Sequence, residues 1–178
     1  MPADLSPRLA AVVDALPLSP GMRVLEVGCG PGAAARAVAE RLERGYVLGI
    51  DRSAKAIAQA AQLGADQIAA GRLALRQVAV EDFALGPGDE PFDLVFAVRV
   101  GALDGRHPRA GEQALRRLAA AVAPHGRLLV DGGDPLREVA LPRDRGADDP
   151  SGCHIPGPGG AVETWSWCST DERRPTPP

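Results

Sequence analysis

Lysine is all but missing from this chain. Lys55 is the only one, so arginine supplies the rest of the 20 basic residues, against 23 acidic ones and a net charge of −3. That balance offers no basic groove for nucleic acid, and an aromatic content of 3% leaves few platforms on which bases could stack. Apolar tracts of about 18 residues are absent, so no membrane span is expected. The opening MPADLSPRLA has neither the basic stretch nor the apolar run of a secretory leader. The 3 cysteines (Cys29, Cys153 and Cys168) form no CxxC, and no HxxxH spacing joins them. A disulfide framework is excluded, metal binding has no support even with His125 and His154 counted in, and reduced thiols in a cytoplasm are expected. At 178 residues the chain fits one ordinary domain, large enough to bury a core without staples.

What is present is an alternation of short β-branched runs with alanine-rich runs over residues 5–133. Leu9, Val12, Val13 and Leu16 recur at helical spacing behind a Ser-Pro start, which predicts a helix over 6–16. RVLEVG (23–28) reads as a buried strand, 33–43 as a helix, and YVLGID (46–51) as a second strand. Ser53 caps a helix expected to run to near Gly71. Strands follow over 73–80 and 92–98 (FDLVFAV), then a helix over 111–123 and a fifth strand, GRLLVD, over 126–131. Near-continuous apolar strands alternating with helices argue for a parallel sheet covered on both faces. Residues 131–178 differ: 8 Pro and 7 Gly disfavour any long helix there. The strand expected in that stretch is AVETWSWC (161–168), with Trp165 and Trp167 on one face as packing residues.

The chemistry concentrates in Val24-Leu25-Glu26-Val27-Gly28-Cys29-Gly30-Pro31-Gly32. A buried strand runs into three alternating glycines, and a helix starts at once. Glycine lets the backbone turn sharply and lets a ligand lie against bare main chain, while the helix start offers free N–H groups. Asp51, ending the second strand, can accept hydrogen bonds from both hydroxyls of a ribose, and the open-sheet rule puts ligands at these strand ends. Together they indicate an adenosine-type ligand. Gly28-Cys-Gly30-Pro-Gly32-Ala33 also satisfies the dinucleotide pattern G-x-G-x-x-G/A, so the glycines alone do not separate the two ligand classes. Glu26 tilts the choice, since an acid there suits an ammonium group better than a pyrophosphate, and the loop carries no positive side chain.

VLEVGCGPG, followed by Asp51, FDLVFAV and LAAAVAPHGRLLV, closely resembles the class I S-adenosylmethionine-dependent methyltransferases over about residues 5–133. The resemblance implies a Rossmann-like three-layer αβα sandwich with a mostly parallel sheet of six or seven strands. One domain would then cover 1–168, with its cofactor-binding core over 5–133, an irregular part over 134–168 and a flexible tail over 169–178. It further implies that Glu26 and the backbone of Gly28, Cys29 and Gly30 hold the methionine part of S-adenosylmethionine, with Gly32 completing the loop. Asp51 would hold the ribose, with Arg52 beside the adenine and Val80, Glu81 and Val98 in the same cofactor set. The adenine-flanking Gly-Asp pair of the family is Val78-Ala79 here, so its acid is missing, and Glu81 or Asp82 is the candidate replacement. Pro124-His125-Gly126 takes the place of the usual Pro-Gly-Gly in the turn expected before the fifth strand.

Methyl transfer from a sulfonium is an in-line displacement that positioning alone can accelerate, so a general base is optional. The acceptor end falls to AVRVGALDGRHP, with Arg99, Gly101, Asp104 and His107 near the mouth. Arg99 could bind an acidic acceptor or the cofactor carboxylate, or simply pair with Glu26 or Asp131. His107 could act as a base, or be a solvated or capping residue before Pro108. Asp104 before Gly105 is first a turn signal, and Asp131 and Asp134 could line the pocket or cap. Cys29 reads as a small packing residue whose side chain points away from the ligand. The expectation is therefore a cytoplasmic S-adenosylmethionine-dependent methyltransferase acting on a small-molecule acceptor, with no nucleic acid, no membrane and no metal, and a homodimer as one way to complete the pocket. The alternatives are an NAD(P)-dependent oxidoreductase of Rossmann type and a non-catalytic cofactor-binding domain.

Overall fold

Valine and leucine runs build a central sheet, and the breakers between them release helices to its two faces. The computed structural model describes residues 5–142. Their order is α1 (Pro7–Ala15), β1 (Arg23–Val27), α2 (Ala33–Arg41), β2 (Tyr46–Asp51), α3 (Ala54–Leu63), α4 (Ala65–Ala69) and β3 (Leu73–Gln77). A 3-10 turn (Val80–Asp82), β4 (Phe92–Ala97), α5 (Pro108–Ala121), β5 (Val122–Asp131) and β6 (Leu136–Val139) follow. The strands form one sheet in the order β3-β2-β1-β4-β5-β6, parallel except for β6, which pairs antiparallel with β5. This is the expected α/β three-layer sandwich, with six strands among the described residues.

Side chains alternate across each strand, which sorts the core into two layers. Leu25, Val27, Leu48, Ile50, Val95, Ala97, Leu128 and Val130 face α5 and the 3-10 turn. Val24, Val47, Leu94, Phe96 and Leu129 face α1 and α2. Alanines 34, 35, 37 and 39 are buried in α2, and their small side chains let that helix lie close to the strands. Phe83, Phe92 and Phe96 are at most 1% exposed. Each such side chain contributes roughly 1.5–3 kcal/mol of burial. Strand order reverses at β1, between β2 and β4, so connections diverge there and leave a crevice beyond the carboxyl ends of the strands.

Several boundaries differ from those that spacing predicts. The helix capped by Ser53 divides at Gly64, where a β-carbon would lie 2.8 Å from Leu73 Cδ2; the glycine lets β3 approach and interrupts the helix. The third strand ends at Gln77 instead of residue 80, and Val80 turns inward on the 3-10 turn. Helix α5 starts three residues early, because Pro108 suits the first helical position. Pro124-His125-Gly126 forms no separate turn: α5 runs straight into β5, which carries these residues past a register shift between Phe92 and Leu94. Strand β6 lies in the stretch expected to be irregular, tied to β5 by the Arg127–Glu138 ion pair at 2.7 Å. The strand expected over 161–168 and the tail over 169–178 fall outside the described residues.

Gly126 sits against backbone, since a β-carbon there would come 2.7 Å from Phe92 O and closer still to Val122 Cγ1. Gly126→Ala is therefore expected to destabilise the fold by about 1–3 kcal/mol through overpacking. Urea unfolding of the two proteins measures this, and equal midpoints would show that the register shift absorbs the methyl group.

Candidate active site

The glycine loop is fixed before any ligand arrives. Gly28 has φ +71, and a β-carbon on it would lie 2.7 Å from Val100 Cγ2, so both its conformation and its surroundings demand glycine. Gly28 N and Cys29 N both donate to Ile50 O, at 2.8 and 3.0 Å, and Gly32 N donates to Cys29 O at 2.9 Å. Gly30 N donates to Asp51 Oδ2 at 2.9 Å, while Asp51 Oδ1 accepts from Ser53 N at 2.8 Å. One carboxylate thus clamps the loop to the start of α3, and each oxygen keeps lone-pair capacity for a further donor. The loop N–H groups that a pyrophosphate would need are already committed within the protein.

Glu26 is 4% exposed, and its Oε2 has no hydrogen-bond partner. It lies on the α2 side of β1, in register with Gly49 and Phe96. Burial pushes its carboxyl from the usual 4.5 up to about 8; the Ala35 N–H opposes this and the nearby Asp51 charge adds to it. An orphaned oxygen of this kind is relieved by a cation. Cys29 is buried against β2, where a β-carbon on Gly49 would lie 3.1 Å from its Sγ. Burial, then the charges of Glu26 and Asp51, raise its thiol to about 12, which leaves it an inert packing group.

Above the sheet a cavity of about 580 Å³ opens at the ends of β1, β2 and β4. Of the residues predicted for the site, Gly28, Asp51, Arg52, Val80, Glu81, Arg99, Gly101 and His107 line it, with Val78 and Ala79 on the same wall. Glu81 rather than Asp82 is on the lining, and Gln113 Nε2 donates to Glu81 O at 2.9 Å, which ties the 3-10 turn to α5. Glu26, Cys29, Gly30, Gly32 and Val98, also predicted for the site, are not on the lining. Arg99 does not pair with Glu26: its backbone N–H donates to Asp131 Oδ1 at 3.0 Å, while Arg8 pairs with Asp131 Oδ2 at 2.9 Å. His107 occupies the cap position of α5 but makes no side-chain capping bond. Asp104 lies off the lining and pairs with Arg106 at 2.6 Å; Asp134 belongs to a separate, smaller cleft.

Arg106 is the charged lining residue that spacing alone does not single out. Its only sequence signal is its place between Gly105 and His107, in a loop already suspected. Among the described residues no cluster of three His, Cys, Asp or Glu could hold a metal ion, while Cys153, His154 and Cys168 lie outside them. No described helix is long and apolar enough to cross a membrane.

A family profile for the methyltransferase domain matches residues 24–126. A protein-L-isoaspartate O-methyltransferase of Methylorubrum populi is 36% identical over 133 residues, covering 75% of this chain and 55% of that protein. A trans-aconitate 2-methyltransferase of Delftia acidovorans is 30% identical over 130 residues, covering 73% and 45%. The chain thus spans about half the length of the curated relatives it matches. Among solved structures, an S-adenosylmethionine-dependent methyltransferase of Geobacter sulfurreducens in complex with S-adenosyl-L-homocysteine superposes with a TM-score of 0.56 at 24% identity, covering 71% of this chain and 48% of that one. The [4+2]-cyclase SpnF gives 0.56 at 27% identity, covering 68% and 42%.

The Glu26 carboxyl makes stability depend on pH in the ligand-free protein. Below about 4.5 it is protonated whether folded or unfolded and costs nothing. Between 4.5 and about 8 the unfolded chain releases a proton that the folded chain keeps, so stability falls as pH rises through this window. The fall is at most about 1.4 kcal/mol per pH unit, a few kcal/mol in all. Urea unfolding between pH 4.5 and 9 measures it, and Glu26→Gln is expected to lack this component of the slope. Identical profiles for the two proteins would show that the carboxyl is not held off its ordinary value.

Proposed function

This chain belongs to the class I S-adenosylmethionine-dependent methyltransferase family, and we propose that its cavity binds S-adenosylmethionine and directs the methyl group to a small-molecule acceptor. The observation that carries the reading is the unpartnered Oε2 of Glu26, a buried carboxyl beside the glycine loop. An ammonium group placed there would draw it into its charged form, which a phosphate would not. The internally satisfied N–H groups of Gly28, Cys29, Gly30 and Gly32 weigh the same way, since a dinucleotide pyrophosphate would find them taken. The acceptors in the relatives' names, trans-aconitate and protein L-isoaspartate, differ from one another, so they support the reaction class and not one acceptor.

When bound, the cofactor supplies an electrophilic methyl group on a sulfonium. Glu26 takes its ammonium, and the bare backbone of Gly28 to Gly30 lets the methionine part lie close. Asp51 offers its remaining lone pairs to the ribose hydroxyls, with Arg52, Val80 and Glu81 around the adenine and Val98 bracing the end of β4. Apolar side chains on the lining, among them Val27, Ile50 and Val100, keep water from the reacting atoms. Holding the nucleophile in line is worth up to about 7–11 kcal/mol. His107 would take a proton from an acceptor hydroxyl or amine, with Arg99 on the lining of the same cavity. A cytoplasmic setting, and a homodimer whose partner closes the open side, complete the proposal.

Calorimetric titration with S-adenosylhomocysteine and NADH tests it. Micromolar binding of the first and none of the second is expected; the reverse would mean an oxidoreductase. Asp51→Ala is expected to weaken the nucleoside ligand by about 1.5–3 kcal/mol, through lost charge-assisted hydrogen bonds and a loosened loop. Unchanged affinity would reject Asp51 as the ribose acceptor. Tight binding with no turnover across small oxygen, nitrogen and carbon nucleophiles would leave a non-catalytic cofactor-binding domain, or other chemistry of the kind the cyclase neighbour's name implies.

A further inference from the structure

The cavity is electrically lopsided. At one end Asp51 and Glu81 flank Arg52; at the other, Arg99, Arg106 and His107 stand together, and no acidic side chain joins them on the lining. Asp104 and Asp131 lie off the lining but close to this end. Arg106 has Asp104 as its partner, whereas the Arg99 guanidinium has no hydrogen bond or ion pair among the described residues.

The arrangement is held in place. Arg99 is the one described non-glycine residue with positive φ, at +58, a conformation that costs energy and is fixed here by the bond from its N–H to Asp131 Oδ1 at 3.0 Å. Asp131 is anchored in turn by Arg8 at 2.9 Å. On the facing side of the loop, a β-carbon on Gly101 would lie 3.1 Å from His107 Cδ2 and 3.6 Å from Arg106 Nη2, so imidazole and guanidinium both rest on bare backbone. Gathering these groups stabilises nothing by itself, since like charges repel. With Asp104 counted beside its partner Arg106, three arginines face three acids, and the Arg99 guanidinium is the cation at this end left for a carboxylate.

We infer that the methyl acceptor is a small carboxylic acid, whose carboxylate is held at this end by Arg99 together with Arg106. The inference rests on the methyl-transfer reading above and names the substrate class of the same cavity. A guanidinium fork matches a carboxylate through two parallel hydrogen bonds, a geometry that an amide or an ester of the same shape does not satisfy. Asp131 is a positioning residue in this scheme, setting the turn from which Arg99 reaches. The cofactor's own carboxylate has the same chemistry, and the titration below separates the two sources.

The full chain, loaded with S-adenosylhomocysteine, is titrated calorimetrically with benzoate, succinate and tricarballylate, and with the matched amides. At least one acid is expected to bind about tenfold or more tightly than its amide. Arg99→Gln, no more strained than arginine at this φ, is expected to abolish that preference with S-adenosylhomocysteine affinity kept within about twofold, and Arg99→Lys to restore part of it. Arg106→Gln provides a second variant that leaves the Arg99 turn untouched and is expected to reduce the preference. Acids no better than amides, or no acid bound, would overturn the inference. So would a loss of S-adenosylhomocysteine affinity in Arg99→Gln, which would assign the guanidinium to the cofactor. Failure of the unmutated chain to bind S-adenosylhomocysteine at all is a separate result, and it rejects the methyltransferase reading itself.

Discussion

Everything at this site depends on where the Asp51 carboxylate spends its two oxygens. One accepts from Gly30 N and the other from Ser53 N, so a single side chain at the end of β2 fixes the loop after β1 and the entry to α3 together. Ile50 O, one residue earlier, holds the other side of the loop through Gly28 and Cys29. The loop therefore needs little ordering when a ligand arrives, and the entropic cost of assembling it is met during folding. Gly28 then passes the constraint on, because its missing side chain is what lets Val100 approach and brings the β4–α5 loop over the cavity.

The charge pattern follows from this geometry. A buried, half-satisfied acid lies behind the loop, an acid with spare lone pairs stands at the end of β2, and cations collect beyond β4. Each group is placed by backbone that another side chain restrains: Arg99 by Asp131, the 3-10 turn by Gln113, and Arg106 by Asp104. A cavity built in this way discriminates by sign along its length, whatever its volume.

The residues made some of this legible. Periodicity located the five parallel strands, because runs buried on both faces carry an unbroken apolar signal, and the spacing from the glycine loop to Asp51 marked the cofactor end. The acceptor end was less readable. Arg106 and Asp104 lie two residues apart in a loop, and only the fold shows which of them lines the cavity. Gly126 reads locally as a turn residue, whereas it serves a register shift between neighbouring strands, a relation between distant segments that no local pattern records. Strand β6 is not legible locally, because four residues with two charges among them carry too little alternation to stand out against the proline-rich stretch around them.

That short strand has a consequence for how copies of the protein meet. Among the described residues β6 ends the sheet, and its backbone would serve as a template for any extended chain that came alongside. Four residues offer few such bonds, and Arg137 and Glu138 at its centre demand hydration that a pairing partner would have to strip away. Among the described residues, a sheet rich in valine and leucine thus ends in a charged margin that disfavours edge-to-edge assembly.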